Sequence, residues 1–141
     1  MNRRCALHSL GGLGLCLTSI TWPAFAGRRT PEQVVDQFHD ALLEIMQEAK
    51  SLSYKGRYKK LKPQIEQNFN LPIMIRIATG RFWRKATPLE QERLLKVFTD
   101  FSVGTYASRF SGYSGQKFLN RGVRRGPQDT ILVDTTIYNP T

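Results

Sequence analysis

The sequence predicts an α+β fold, a run of helices followed by a C-terminal antiparallel pair of strands, and three observations carry that expectation. From Val34 to Phe110 apolar residues recur at steps of three and four, the repeat of an amphipathic helix. Thr30-Pro31 and Thr87-Pro88 each open a helical stretch with a hydroxyl cap and a proline at the first position. After Gln116 the repeat shortens to two and the residues become β-branched and aromatic.

The chain begins Met1-Asn2-Arg3-Arg4, has no acid before Glu32, and passes through a mildly apolar stretch, Ala6 to Ile20, to Ala24-Phe25-Ala26. A charged start, a short apolar run and an A-x-A ending compose a secretion signal, so residues 1–26 are read as a cleaved signal peptide and 27–141 as one domain. A permanent anchor would need ~20 apolar residues, and this run is short and carries Gly11, Gly12 and Gly14. A lipoprotein signal at Leu13-Gly14-Leu15-Cys16 is opposed by the bulk of Leu15, while Arg3-Arg4 leaves the twin-arginine route open. Either export route ends outside the cytoplasm, which for a bacterial signal is the periplasm. Both cysteines, Cys5 and Cys16, precede the cut, so disulfide and thiolate chemistry are excluded from what remains.

The first helix starts at Thr30-Pro31-Glu32-Gln33, a capping box with an acid in the first turn, and runs to about Ala49 or Lys50. Val34, Val35, Phe38, Leu42, Ile45, Met46 and Ala49 form its apolar face, with Asp36, Asp40, Glu44 and Glu48 on another flank. A second helix from about Ser53 puts Tyr54, Tyr58, Leu61, Ile65 and Phe69 on one side, and Pro63 predicts a kink or break near Lys62. Asn70-Leu71-Pro72 starts a third, apolar nearly all round and stopped by Gly80, which predicts burial. Thr87-Pro88-Leu89-Glu90 starts the longest helix, reaching Ser111, with Gly104 inside it. Strands follow at 118–123 and 130–138, joined through Arg124-Arg125-Gly126-Pro127-Gln128. Two strands rarely make a stable sheet, so either something else completes it or the sequence is shorter than its relatives.

Charge narrows the partners. Losing Arg3 and Arg4 with the signal takes 21 basic residues to 19 against 11 acids, a formal +8. A basic surface draws anions, and outside a bacterial cytoplasm these are lipid head groups and acidic protein faces rather than nucleic acid. His39 is the only histidine past the cut, no cysteine accompanies it and the carboxylates are not clustered, so no metal site or catalytic constellation is predicted. Glu90 and Glu92 fit the start of a helix better than acid–base work.

Several ordered stretches resemble a known family. They are Tyr54-x-x-Arg57-Tyr58-x-x-Leu61-x-Pro63-x-Ile65, Phe69-Asn70-Leu71-Pro72-x-Met74-x-Arg76, Gly80-x-x-Trp83, and Thr105-Tyr106-Ala107-x-Arg109-Phe110-x-Gly112-Tyr113-Ser114-Gly115. Together they resemble the MlaC, or toluene-tolerance, family of periplasmic lipid-binding proteins, over about Pro31 to Tyr138. The Gly-Arg-Tyr and Gly-Tyr-Ser-Gly stretches look like its hopanoid-biosynthesis-associated HpnM subgroup. The resemblance implies a helical layer on a curved antiparallel sheet around an apolar cavity for acyl tails. It also implies a carrier, with no cofactor, that shuttles lipid between an outer-membrane lipoprotein complex and an inner-membrane ABC transporter, through transient membrane contact. Phospholipid is the implied cargo, or a hopanoid if the subgroup likeness holds. Relatives usually continue with further strands and a closing helix, so the sheet here is expected to be cut short and the cavity open along one side. Asn70 stands where the family commonly has Asp, and either residue caps a helix.

On this reading Ile73, Met74, Ile77, Phe98, Phe101, Tyr106 and Phe110 are candidates to line the cavity, against the ordinary alternative that each is core. Trp83, among Arg81, Arg84 and Lys85, suits either the cavity mouth or a structural cap on the third helix. Arg121, Arg124 and Arg125 suit head groups or a docking surface, or else a plain solvated hairpin. Gly104 signals close helix packing or room for a tail. The predicted function is a non-enzymatic periplasmic lipid carrier; the alternative is a secreted polyanion binder without apolar cargo, whose affinity would fall steeply with salt.

Overall fold

Helices begin where the sequence places side chains that can satisfy unpaired backbone N–H groups. Thr30 Oγ1 accepts from Gln33 N at 3.3 Å while Gln33 Oε1 accepts from Thr30 N at 2.9 Å. Thr87 and Glu90 repeat this box, with Glu90 Oε2 accepting from Thr87 N at 2.7 Å, and Asn70 Oδ1 accepts from Ile73 N at 3.3 Å. The computed structural model describes residues 29–140, and the expected signal peptide lies outside the described residues. The helices are α1 (Pro31–Gln47), α2 (Tyr54–Asn68), α3 (Leu71–Thr79), α4 (Arg81–Lys85) and α5 (Pro88–Arg109). Strands β1 (Lys117–Arg125) and β2 (Ile131–Tyr138) follow, so the fold is α+β with a two-stranded antiparallel sheet.

Helical periodicity selects the core. Phe38, Leu42, Ile45 and Met46 of α1 meet Leu61 and Ile65 of α2, Leu71 of α3, and Val103 and Ala107 of α5. Leu61, Val103 and Ala107 are fully enclosed. Gly104 lets α2 approach α5: a Cβ at that position would lie 3.0 Å from the Tyr54 hydroxyl, which favours the close-packing explanation of this glycine.

Four expectations change. Pro63 does not break α2, which runs through it. Proline forfeits one backbone hydrogen bond, but Pro63 is exposed, so the freed carbonyl can turn to water, and buried Leu61 and Ile65 pin the helix on both sides. The third helix is not buried all round: only Leu71 and Ile75 are enclosed, while Ile73, Met74 and Ile77 stay exposed because α3 meets its helical neighbours along one face. Glycine at 80 ends α3 but also starts α4, a turn of helix the periodicity did not announce. The long helix stops at Arg109 instead of Ser111, capped by Phe110.

Two polar contacts tie α2 to α5. Tyr58 Oη donates to Asp100 Oδ1 at 2.8 Å, which pushes the phenol up to about 12, and Lys96 and Tyr58 together hold the Asp100 carboxyl below its ordinary value. Arg57 donates from Nε to the carbonyl of Ala107 and from a terminal nitrogen to that of Leu52, both at 2.9 Å. One planar cation thus joins the loop before α2 to the negative end of α5. Arg57→Met is expected to lower unfolding free energy by about 2 kcal/mol in urea denaturation. Arg57→Lys should recover less than half of that loss, because an ammonium is a point donor and lacks the guanidinium's planar fork.

Candidate functional site

The hairpin register decides which strand residues face the helices. Phe118 pairs with Ile137, Asn120 with Thr135, Val123 with Val133 and Arg125 with Ile131, so these eight share one face. A bulge between Asn120 and Gly122 carries Arg121 as the extra residue and keeps Val123 on the same face as Phe118. Without it the second half of β1 would be turned over.

α1 crosses this face. Near its start, Thr30, Pro31 and Glu32 border a groove with Val123, Arg125 and Ile131. Further along, Val34, Val35, Phe38 and His39 line a second groove of about 280 Å³. Phe69 and Tyr106 close its helical side, and Val133 and Thr135 its sheet side. The wall is largely aromatic: Phe38 meets Phe69 edge-on at 5.0 Å and Tyr106 edge-on at 5.5 Å, and Phe110 stacks behind Tyr106 at 5.5 Å. His39 lies flat on Phe118, ring centres 4.1 Å apart, and this stack ties α1 to β1.

Polar groups in this groove are few. Burial pushes the Tyr106 phenol up and the His39 imidazole down, the latter against the pull of Asp36 and Asp40. Asn68 donates through Nδ2 to the Gln64 carbonyl at 2.8 Å, and its Oδ1 is buried without a partner. No group of three or more metal-ligating side chains occurs among the described residues. The groove offers mainly apolar contact, which suits a hydrocarbon chain better than a polar substrate.

The structure disperses the residues singled out from sequence. Tyr106 lines the α1–sheet groove and Phe110 backs it. Phe98 packs against the helical core. Phe101 lies 69% exposed in a separate groove beside Tyr54 and Gly104. Ile73, Ile77 and Trp83 share a third groove with Arg76 and Arg84, and Met74 is exposed on the same helix. In the hairpin, Arg124 pairs with Asp134 at 2.9 Å on the outer face, while Arg121 and Arg125 are exposed. Sequence reasoning placed Val34, Val35 and Phe38 on the apolar face of α1 and Val133 and Thr135 on one face of β2, but did not bring the two faces together.

The family model described as MlaC protein matches residues 36–141, and the chain belongs to this family. No curated protein matches it. Among solved structures it is similar to the phospholipid-binding protein from Ralstonia solanacearum in complex with a phospholipid, at a TM-score of 0.65 and 23% identity. That match covers 75% of this chain and 62% of the other, so the chain spans less than two thirds of the solved protein.

His39 gives the groove a pH signature. Burial sets its folded pKa below 6.5, so as pH falls the unfolded chain takes up this proton first. The contribution is therefore complete above 6.5 and is lost as pH falls from there through the folded value. Thermal melts between about pH 7.5 and 5.5 should show this decline. His39→Phe, which keeps a flat ring on Phe118, should flatten the curve in that window.

Proposed function

We propose that the protein binds a phospholipid by its acyl chains against the groove between α1 and the sheet, and carries it through the periplasm. Membership of the MlaC family and the fold shared with a protein solved in complex with a phospholipid support this reading. The observation that carries it is the unused apolar surface beside the groove. Val123 is 47% exposed, Ile131 46% and Ile137 39%, all on the face that α1 only partly covers. A wall of this kind continues the groove beyond its 280 Å³, a volume at the small end for a ligand site, and gives a chain of methylenes a surface to follow. Each methylene moved out of water contributes about 0.8 kcal/mol, enough for a few turns of an acyl chain to hold the cargo without a polar anchor.

The carrier role has a finer form: exchange with an inner-membrane ABC transporter complex and an outer-membrane lipoprotein complex, with Arg121 and Arg125 of β1 exposed and available to a head group or docking face. A hopanoid is the alternative cargo, its fused rings presenting the same apolar chemistry in a stiffer shape. No helix of the described residues is long and apolar enough to cross a membrane. Extraction from the cytoplasm through a cleaved signal would leave the domain free to move between the two bilayers.

Native mass spectrometry of protein recovered from the periplasm should show a bound phospholipid, or a polycyclic lipid in a hopanoid-producing host. Val133→Trp should fill the groove and cut lipid occupancy roughly tenfold while helical circular dichroism is retained. Lipid-free protein that also takes up nothing from vesicles would sink the reading.

A further inference from the structure

Far from the sheet, α4 stands as a ridge between two grooves. On one side Phe82, Lys85, Arg93, Leu94 and Val97 border a groove of about 510 Å³. On the other, Ile77 and Trp83 border one of about 520 Å³ with Arg76 and Arg84. The ridge is held in place by Gln91, whose Nε2 donates to the carbonyls of Trp83 at 3.0 Å and Ala86 at 3.2 Å.

The apolar side chains here project outward: Ile77 is 75% exposed, Val97 65%, Phe82 64% and Leu89 56%. Cations surround them. Between Glu66 and Asp100 the chain carries six Lys and Arg against two acids, Glu90 and Glu92. Arg76, Arg81, Arg84, Lys85 and Arg93 enter no ion pair among the described residues. The Glu90 carboxylate is turned to the helix start, accepting from Thr87 N at 2.7 Å and Thr87 Oγ1 at 2.8 Å. Arg81 lies over the Phe82 ring at 5.2 Å, pairing a cation with the most prominent aromatic prong of the ridge.

We propose that the α3–α4–α5 corner is a membrane-docking wedge that seats on an anionic bilayer surface, Phe82 and Ile77 entering the head-group boundary while Arg76, Arg81, Arg84, Lys85 and Arg93 meet lipid phosphates. Exposed apolar prongs ringed by unpaired cations match an interface that is apolar beneath and negative above, whereas a protein partner would have to supply both a hydrophobic pocket and five acids in the same pattern. Position along α5 separates this wedge from the groove. Leu94 and Tyr106 are twelve residues apart, about 18 Å of helix, so one end meets a membrane while the other holds a tail. The wedge does not depend on the cargo reading, because an empty carrier would still dock.

Flotation with vesicles of phosphatidylglycerol and phosphatidylcholine at low salt tests it. The parent chain should float with these vesicles, bind pure phosphatidylcholine roughly tenfold more weakly, and release as salt rises. Phe82→Ser and the pair Arg84→Glu with Lys85→Glu should each reduce binding roughly tenfold, while Val133→Trp leaves it unchanged. All variants carry the same N-terminal segment, so the difference reports on the wedge alone. In a Trp22→Phe background, where Trp83 is the sole indole, brominated acyl chains should quench its fluorescence. Equal flotation of parent and wedge variants, an unquenched Trp83, or variants that lose capture of an acidic protein while keeping vesicle binding would overturn the proposal.

Discussion

Phe38 occupies the position on which the arrangement depends. Its ring meets Phe69 at the end of α2 and Tyr106 in α5, and it also lines the groove that the sheet closes. A single side chain thus belongs to the helical core and to the surface facing the hairpin. Aromatic edges resist sliding more than aliphatic contacts do, since edge-to-face pairs have a preferred geometry. The three rings therefore set the angle of α1, and α1 sets how far the hairpin stands from α5.

Around that contact the molecule holds more apolar surface than its helices enclose. The core proper takes nine side chains from α1, α2, α3 and α5. Val97, Phe101 and Leu89 on α5, and Ile73 and Ile77 on α3, are left outside it. An amphipathic helix normally keeps its apolar residues to one stripe. α5 does not: Val103 and Ala107 are wholly buried and Leu95, Phe98 and Tyr106 pack on the core, while Leu89, Val97 and Phe101 point outward. Leaving large apolar groups in water forgoes stabilisation, of order 1.5–3 kcal/mol for each side chain that full burial would have supplied. A surface arranged this way is suited to a partner that is itself apolar.

Much of the scaffold was legible in the sequence, and the reasons are local. Thr30 with Gln33, Thr87 with Glu90, and Asn70 signal helix starts because capping uses residues three apart, and the structure keeps all three. The alternation of Ile131, Val133, Thr135 and Ile137 is equally local, and it placed β2 and its face. What stayed hidden needed distance. Periodicity marks Ile77 and Phe101 as apolar but cannot say that no helix arrives to cover them. The partner of His39 is Phe118, seventy-nine positions away by number, and nothing near either residue announces the stack. Pro63 misled as a breaker for a related reason: its local cost is real, but Leu61 and Ile65 are buried deeply enough to keep α2 unbroken through it. The family resemblance supplied the long-range part, the pairing of helical layer with sheet, that residue spacing could not.

The division of labour along α5 follows from how its two ends are held. At the C-terminal end Arg57 binds the Ala107 carbonyl, Tyr106 joins the aromatic wall, and Ala107 is buried, so this end is fixed against α1 and α2. Towards the N-terminal end a capping box and the two hydrogen bonds of Gln91 hold the helix to the α4 turn, Leu95 and Phe98 pack on the core, and Leu89 and Val97 face solvent. The hairpin is held less firmly, since β1 and β2 are exposed over most of their length and meet the helices chiefly through α1. The groove is therefore firm on its helical side, where Phe38, Phe69 and Tyr106 interlock, and softer on its sheet side, where Val133 and Thr135 stand.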